Sequence, residues 1–449
     1  MKITFINPKI PPLGSRSLGG LPLKIKQLFA NNPKLQERIE FTKKAFSALG
    51  ILTVAGVVPE NQDYQLEFLD ENMEEIDFNR PFDLAAVGGN SDQINRALQI
   101  CDLLRKKNIP VVAGGTAVTT FPDIFYKRGI PVIIGEGELL FKIFLDDFKK
   151  GNTRKIYDHT IAPTHIDLKD SPIPRYDIAR KYPYTMMGVQ CSRGCPYNCN
   201  FCQVTGIFGN QFRYKPIDNI IKEIKQVKRY WTDGFFFFYD DNPFANRDFT
   251  LELFRRLNHR EKIPLGTWGT NANVNLYKDR ELMDAITEAG PVSFLGIGLE
   301  SLSEESLSTI NNKMKFNHVT AYREAIQTFK TNNINPIGYF MFGFEKDKPG
   351  DLQKIVDFLL ENRIDSQLSR VTPMPGTRLY DRLKEEYENR HREIRKSSLG
   401  EWGTIKKYFS SKCAVNDEEM QNLLCDAYTV VFSDNHFFSQ EMIPTIFLL

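Results

Sequence analysis

Four of the chain's seven cysteines lie within the stretch Cys191-Ser-Arg-Gly-Cys195-Pro-Tyr-Asn-Cys199-Asn-Phe-Cys202. The last three follow a Cys-x3-Cys-x2-Cys spacing, which places three thiolates on one tight loop. A [4Fe–4S] cubane normally takes four thiolates, so three from one loop leave one iron open to a small molecule. The alternatives are a plain electron-transfer cluster and a structural zinc, which needs a fourth ligand that Cys191 or a histidine could supply. The nearest histidine is the distant His165, so we expect a cluster on Cys195, Cys199 and Cys202, with Cys191 a buried thiol outside the ligand set.

The composition is that of an ordinary globular protein. Of the 449 residues, 41% are hydrophobic and 25% are charged, and the 58 basic side chains nearly balance the 56 acidic ones. This balance argues against a large basic surface that binds nucleic acid. An odd number of clustered cysteines in a chain without an export signal argues against a disulfide framework, and no apolar run approaches the ~20 residues of a membrane span. We expect a cytoplasmic protein without a transmembrane segment and without a nucleic-acid partner.

Residues 1–149 alternate short apolar strands with helical patterns. This order predicts an α/β fold of the doubly wound, Rossmann-like type, with a parallel sheet between two layers of helices. The predicted strands are 2–7, 64–70, 84–88, 111–115 and 132–135. Ligands of such sheets bind beyond the carboxyl ends of the strands. The residues at those ends are Asn7, Asn90, Gly114, Gly115 and Glu136.

Residues 150–182 contain several prolines and little periodicity, which predicts a linker. Six further strand–helix units in residues 183–386 predict a partial (β/α)6 barrel with its chemistry at the carboxyl ends of the strands. Those strands are expected at 185–190, 234–239, 266–272, 293–298, 336–342 and 366–372. Residues 387–449 predict a small helical extension. Its aromatic residues either line a substrate site or pack on the barrel, and they are Trp402, Tyr408, Phe409, Phe432 and Phe437.

The cysteine loop, with Phe201 before its last cysteine, resembles the signature of the radical S-adenosylmethionine superfamily. The resemblance implies that the three cysteines ligate three irons of a [4Fe–4S] cluster and that the methionine end of S-adenosylmethionine caps the fourth. Reductive cleavage of that cofactor gives methionine and a 5′-deoxyadenosyl radical. The cofactor carries the difficult chemistry, and the protein orients it and excludes water.

Other strand ends of the predicted barrel match positions at which this superfamily contacts S-adenosylmethionine. The resemblance implies Asp240 and Asp241 for its amino group, Glu300 and Asn273 for its ribose, and Met341 or Phe340 for its adenine. For Asp241, capping of the following helix is an equal alternative. The sequence assigns no catalytic side chain.

A doubly wound domain before such a barrel resembles the cobalamin-binding class of the superfamily, in particular the methylases of hopanoid-type lipids. The resemblance covers residues 1 to about 385 and includes the Gly114-Gly115 pair and Gly135-Glu136-Gly-Glu138. The Asp-x-His-x2-Gly motif for cobalamin is absent and residues 1–149 contain no histidine, so no imidazole from this domain can bind cobalt. Cobalamin would instead lie beside Gly114 and Gly115, where the backbone allows close approach. The alternative is a domain that kept the fold and lost the cofactor.

The resemblance therefore implies a cobalamin-dependent radical methyltransferase that acts on an unactivated carbon. One alternative is a related radical enzyme that catalyses rearrangement, ring contraction or oxidative cyclisation without methyl transfer. Another is a non-catalytic iron–sulfur sensor or carrier. The implied partners are a small-molecule, lipid or peptide substrate and an external electron donor such as flavodoxin or ferredoxin.

Overall fold

The computed structural model describes residues 1–10, 48–60, 63–310, 319–390 and 398–413. Its first sheet has six parallel strands in the order β2-β1-β3-β4-β5-β6. These strands are β1 (Lys2–Asn7), β2 (Gln65–Asp70), β3 (Leu84–Val87), β4 (Val111–Ala113), β5 (Val132–Ile133) and β6 (Ile156–Tyr157). The first five confirm the predicted strands. β6 lies inside the predicted linker and pairs with β5, a difference that arises because a two-residue strand carries no readable periodicity.

Helices cover both faces of this sheet, as the doubly wound prediction requires. They are α1 (Leu49–Ala55), α2 (Ile94–Lys106), α3 (Thr116–Thr120), α4 (Asp123–Tyr126), α5 (Gly137–Lys149) and α6 (Tyr176–Ala179). The strand order reverses at β1, which has β2 on one side and β3 on the other. The crevice of such a sheet opens at this reversal, beyond the carboxyl ends of β1 and β3.

The second sheet also has six parallel strands, and each pairs with its neighbour in chain order to form an open barrel. The strands are β7 (Met186–Val189), β10 (Phe235–Phe238), β11 (Trp268–Ala272), β12 (Val292–Glu300), β13 (Ile334–Phe342) and β14 (Asp365–Arg370). They confirm the partial barrel. A short antiparallel pair, β8 (Ser192–Arg193) with β9 (Arg213–Tyr214), brackets the cysteine loop.

The helices that follow the barrel strands cover its outer face. They are α7 (Val204–Phe208), α8 (Ile217–Tyr230), α9 (Arg247–Arg255), α10 (Arg280–Glu288), α11 (Glu304–Ile310), α12 (Val319–Thr331) and α13 (Pro349–Asn362), followed by α14 (Arg378–Arg390) and α15 (Ser398–Lys412). Successive strand residues face opposite sides of a sheet, so Phe235 and Phe237 point inward while Phe236 and Phe238 pack under the helices.

The base of the barrel is closed by an apolar plug. Its buried members are Met186, Phe235, Phe237, Phe294 and Ile337. Tyr239 and Tyr339 pack against this plug. The plug therefore leaves space for ligands only toward the carboxyl ends of the strands.

An apolar cluster also joins the two halves of the molecule. The ring of Trp402 in α15 lies 5.9 Å from the ring of Phe121, and its Nε1 donates to the carbonyl oxygen of Pro373 at 2.9 Å. Phe409 is 2% exposed in the same cluster, so these two tail aromatics pack rather than line an open site. Phe432 and Phe437 lie outside the described residues. Of the helices that the structure describes, none is long and apolar enough to cross a membrane.

Candidate cofactor sites

The start of the cysteine loop is fixed by a buried carboxylate. The backbone N–H of Cys191 donates to both oxygens of Asp240, at 2.9 and 3.1 Å. The backbone N–H and hydroxyl of Ser192 donate to Oδ1, each at 2.5 Å. Asp240 is fully buried, and burial raises its pKa to about 6 despite these hydrogen bonds. Its oxygens accept hydrogen bonds from the loop, and its contact with an ammonium group stays a prediction.

The loop itself is built on backbone conformations that favour small or amide residues. Gly194 has φ +90°, and a Cβ there would lie 2.1 Å from the carbonyl oxygen of Gln211. Asn198 also adopts a left-handed conformation, with φ +52°. The N–H of Cys195 donates to the carbonyl oxygen of Gly209 at 3.1 Å. The loop is therefore held by backbone contacts and does not depend on its own thiols for its shape.

Cys195, Cys199 and Cys202 share one partly exposed region at the top of the barrel. Burial raises the pKa of all three thiols, that of Cys202 to about 12, and the charge of Cys195 acts on both Cys199 and Cys202. Cys191 is instead 1% exposed and lies within range of the charges of Asp240 and Lys215. With Cys191 set apart, three thiols of the loop remain, and their role as the iron ligands stays a prediction. In the described ranges, no group of three or more His, Cys, Asp or Glu side chains is arranged to hold a metal ion.

Two carboxylates at strand ends lie near these thiols. The charges of Asp241 and Glu300 both act on Cys202. Asp241 is accessible to solvent, yet the surrounding protein, with repulsion from Asp240, raises its pKa to about 7, as expected at the base of a concave site. Burial raises the pKa of Glu300 to about 7. Helix capping does not explain Asp241, because Asn246 caps α9 by accepting from the N–H of Phe249 at 3.2 Å.

Glu300 adopts a strained backbone conformation. Its φ of +62° is rare for a residue with a side chain. The carboxylate folds back over Gly298, where an added Cβ would lie 2.7 Å from Oε1 of Glu300. Strain of this kind concentrates at functional sites, which supports the predicted role of Glu300 in cofactor binding.

The remaining residues predicted to contact S-adenosylmethionine differ in how far their side chains are already packed within the protein. Asn273 forms a hydrogen bond with Tyr197 of the cysteine loop. Phe340 is 1% exposed and packs on Phe358 with ring centroids 5.9 Å apart, so Met341, which is half-buried, is the better candidate for the adenine. Phe201 packs edge-on against Phe344 at 6.0 Å.

Sequence reasoning missed a hydrogen-bonded chain beneath the site. The hydroxyl of Tyr339 donates to Oδ1 of Asn271 at 2.9 Å, and Nδ2 of Asn271 donates to the carbonyl oxygen of Asp240 at 3.1 Å. This chain supports the backbone from which Asp241 projects. The available signal was alternation along β13, which places Tyr339 on the same face as Met341.

The second site is an apolar cavity of about 430 Å³ at the carboxyl ends of the first sheet. All five predicted strand-end residues line it, namely Asn7, Asn90, Gly114, Gly115 and Glu136. Barrel residues complete the wall, including Gln190, Arg193 and Tyr239. One cavity therefore brings the first sheet and the start of the cysteine loop together.

The polar groups of this cavity are largely engaged within the protein. Nδ2 of Asn7 donates to Asp70 at 3.1 Å, and Oδ1 accepts from Gln93 at 3.1 Å. Asn90 caps the short helix that begins at Ser91. These two residues shape the wall, and their side chains already have partners.

The two central glycines serve different purposes. Gly115 has φ +91°, and a Cβ there would lie 2.6 Å from the carbonyl oxygen of Gly89, so the fold itself requires glycine. A Cβ at Gly114 would meet nothing closer than Ile133, at 3.7 Å. Packing does not require glycine at position 114, and the space beside it is available to a ligand.

Glu136 also forms ion pairs and hydrogen bonds within the protein, and its predicted contact with a cofactor stays a prediction. Its carboxylate pairs with Arg213 and lies 3.3 Å from Arg193, and it accepts from the N–H of Ile166 at 3.0 Å. Burial opposes its charge, but the hydrogen bond from Arg213 and the charge of Arg193 outweigh burial and lower its pKa. Sequence reasoning missed both arginines, although Arg193 lies within the cysteine motif.

Comparison with known proteins places these sites in context. Residues 189–359 match the family model of the radical SAM superfamily. An uncharacterised methyltransferase of Synechocystis is 28% identical over 75% of this chain and 63% of its own length. The hopanoid C-2 methylase of Rhodopseudomonas palustris is 25% identical over 78% of this chain and 66% of its own length.

A solved structure shares the whole architecture. It is that of the radical S-adenosylmethionine methyltransferase TsrM from Kitasatospora setae with cobalamin and a [4Fe–4S] cluster bound. The match has a TM-score of 0.66 and 14% identity, and it covers 99% of this chain and 93% of that chain. At this identity the likeness establishes the fold. The family match, together with the cysteine loop at the top of a partial barrel, shows that residues 189–359 of this chain form a radical S-adenosylmethionine domain.

Proposed function

We propose that the protein is a cobalamin-dependent C-methyltransferase that acts on an unactivated carbon. The observation that carries this proposal is the single cavity in which the strand ends of the first sheet meet the start of the cysteine loop. The [4Fe–4S] cluster and S-adenosylmethionine supply radical chemistry when bound, and cobalamin supplies the transfer of methyl groups.

The residues of the barrel fit the first pair of cofactors. Cys195, Cys199 and Cys202 are the candidate iron ligands, held in place by Asp240. Asp241 and Glu300 offer carboxylate oxygens beside the thiols, where a carboxylate facing an ammonium group forms a strong charge-assisted contact. The apolar plug below excludes water from the base of the barrel.

Two features of the cavity support cobalamin as its ligand. Its wall is mostly apolar, and Gly114 leaves open space that packing does not require. No histidine is among the lining residues of this cavity in the described chain, so the first sheet offers no imidazole to cobalt. The relatives named as methyltransferases, and the TsrM structure with its bound cobalamin, support the same assignment.

The test uses the full chain purified without oxygen and reconstituted with iron and sulfide. S-adenosylmethionine, a strong reductant and hydroxocobalamin are added, and 5′-deoxyadenosine and bound cobalamin are measured together. A Cys199→Ala variant, which should form no deoxyadenosine, is the control. We expect deoxyadenosine from the wild type and about one cobalamin per chain.

Each part of the proposal has its own contrary result. Deoxyadenosine without retained cobalamin would contradict methyl transfer through cobalamin and leave a radical enzyme. With a candidate substrate, a product whose mass does not increase by one methylene would favour rearrangement or cyclisation.

A further inference from the structure

A buried group of charges joins the cysteine loop to the first sheet. Arg193 lies in the loop, two positions before Cys195, and is 6% exposed. Glu136 precedes α5 and Glu138 lies in the first turn of that helix, and they are 4% and 5% exposed. All three residues line the cavity, so this group forms the boundary between the two cofactor sites.

The guanidinium of Arg193 is held on every side. Nη1 lies 3.3 Å from Oε2 of Glu136, and Nη2 lies 2.7 Å from Oε1 of Glu138. Nε donates to Oε1 of Gln190 at 2.8 Å. Oε1 of Glu138 has no aligned hydrogen-bond donor among the described residues, so this contact is an ion pair by distance. The donors of the planar guanidinium are fixed relative to one another. A shift of Glu138 would therefore also shift the position of Arg193 in the loop.

The two halves of the molecule do not need this group in order to stay together. The cluster around Trp402 already joins them, and the hydroxyl of Tyr184 donates to Oδ2 of Asp70 at 2.5 Å. A buried ion pair is a weak source of stability because desolvation offsets its attraction. The group around Arg193 is therefore better explained by the position that it imposes on the loop.

We propose that Arg193 is a positioning residue that couples the wall of the cavity to the cysteine loop, through Glu138 and Glu136. The geometry of the cluster then depends on the carboxylates at the start of α5, and a ligand in the cavity affects both these carboxylates and the loop. This inference rests on the proposed function in one respect, that the loop holds a cluster.

The test compares Glu138→Gln and Arg193→Lys with Tyr184→Phe. Tyr184→Phe removes a contact that does not touch the loop. Each full-length variant is reconstituted without cobalamin, and its iron content and the electron paramagnetic resonance spectrum of the reduced cluster with S-adenosylmethionine are recorded. Hydroxocobalamin is then titrated and followed by its absorbance. We expect altered g-values for both charge variants, an about tenfold or greater weakening of cobalamin binding, and a wild-type spectrum for Tyr184→Phe.

A Glu138→Gln variant with full iron and a wild-type spectrum would overturn the proposal. An equal spectral change in Tyr184→Phe would also overturn it. The loss of any contact between the two halves would then be enough to change the spectrum, without a specific role of Arg193. If Arg193→Lys assembles no cluster, Glu138→Gln decides alone, since it lies outside the loop. Absence of iron from the wild type would instead contradict the proposed function.

Discussion

Replacing Asp240 by asparagine separates two roles that the sequence could not distinguish. In the structure, three donors of the loop point at this carboxylate. They are the backbone N–H of Cys191, the backbone N–H of Ser192 and the hydroxyl of Ser192. Asparagine keeps one acceptor oxygen and turns an NH2 group toward the donors. At least one buried N–H then lacks an acceptor, at a cost of about 1–3 kcal/mol.

Loss of the charge on the acceptor weakens the hydrogen bonds that remain, since charge-assisted bonds are about twice as strong as neutral ones. We therefore expect the native loop conformation to lose about 2–5 kcal/mol, which is about thirtyfold or more in its population relative to open conformations. The readout is iron and sulfide per chain after anaerobic reconstitution. Asp240→Asn should hold much less of both than the wild type.

Asp241→Asn is the matched control, because it changes the adjacent carboxylate without touching the loop N–H groups. It should retain the cluster and bind S-adenosylmethionine weakly, as measured by equilibrium dialysis. The reasoning is refuted if Asp240→Asn keeps full iron content and loses only S-adenosylmethionine binding. That result would restore the ammonium contact predicted from the sequence.

Three further predictions concern the cavity, the cofactor carboxylates and the barrel. Gly114→Val should fold with wild-type thermal stability but lose cobalamin binding by absorbance titration; unchanged affinity would show that no ligand occupies that space. Because the pKa values of Asp241 and Glu300 are both about 7, the charged fraction of each grows as pH rises from 6 to 8. S-adenosylmethionine should therefore bind more tightly over that range, and Asp241→Asn should reduce this dependence to the part that Glu300 contributes; a pH-independent wild type would contradict it. Gly188→Ala places a Cβ 1.6 Å from the carbonyl oxygen of Phe237 and should prevent soluble expression, whereas Gly350→Ala, with nothing within 4 Å, should express normally.

The two parallel sheets were predictable because their strands are short apolar runs that end at glycine, proline or amide residues. β1 is the clearest case, since Lys2–Asn7 ends at an amide residue and is followed at once by Pro8. β6 could not be predicted, because two residues form a strand only through their pairing with β5. The cysteine ligands remain a prediction, made from spacing alone.

The roles of individual carboxylates were much less accessible to sequence reasoning. Asp240 and Asp241 are adjacent and chemically identical, yet one is fully buried under loop N–H groups and the other is exposed. Alternation along the chain predicts that they face different directions, but it does not show which direction holds the loop. Glu136 is similar, because its partners Arg193 and Arg213 come from a distant part of the chain.

The residues predicted to bind cofactors form two classes. In one class the protein itself supplies hydrogen-bond partners to the polar atoms, and in the other it does not neutralise the charge of the carboxylate. Asp240, Glu136 and Asn7 receive hydrogen bonds from the protein's own donors, so their contribution to binding is to fix the walls of the sites. At Asp241 and Glu300, the surrounding protein raises the pKa to about 7, and no cation in the part of the chain that the structure describes offsets this rise. A carboxylate in that state gains the most from a cationic or hydroxyl-bearing ligand, because the ligand supplies the stabilisation that the protein withholds. The same division separates Gly115, which the fold requires, from Gly114, beside which the fold leaves space.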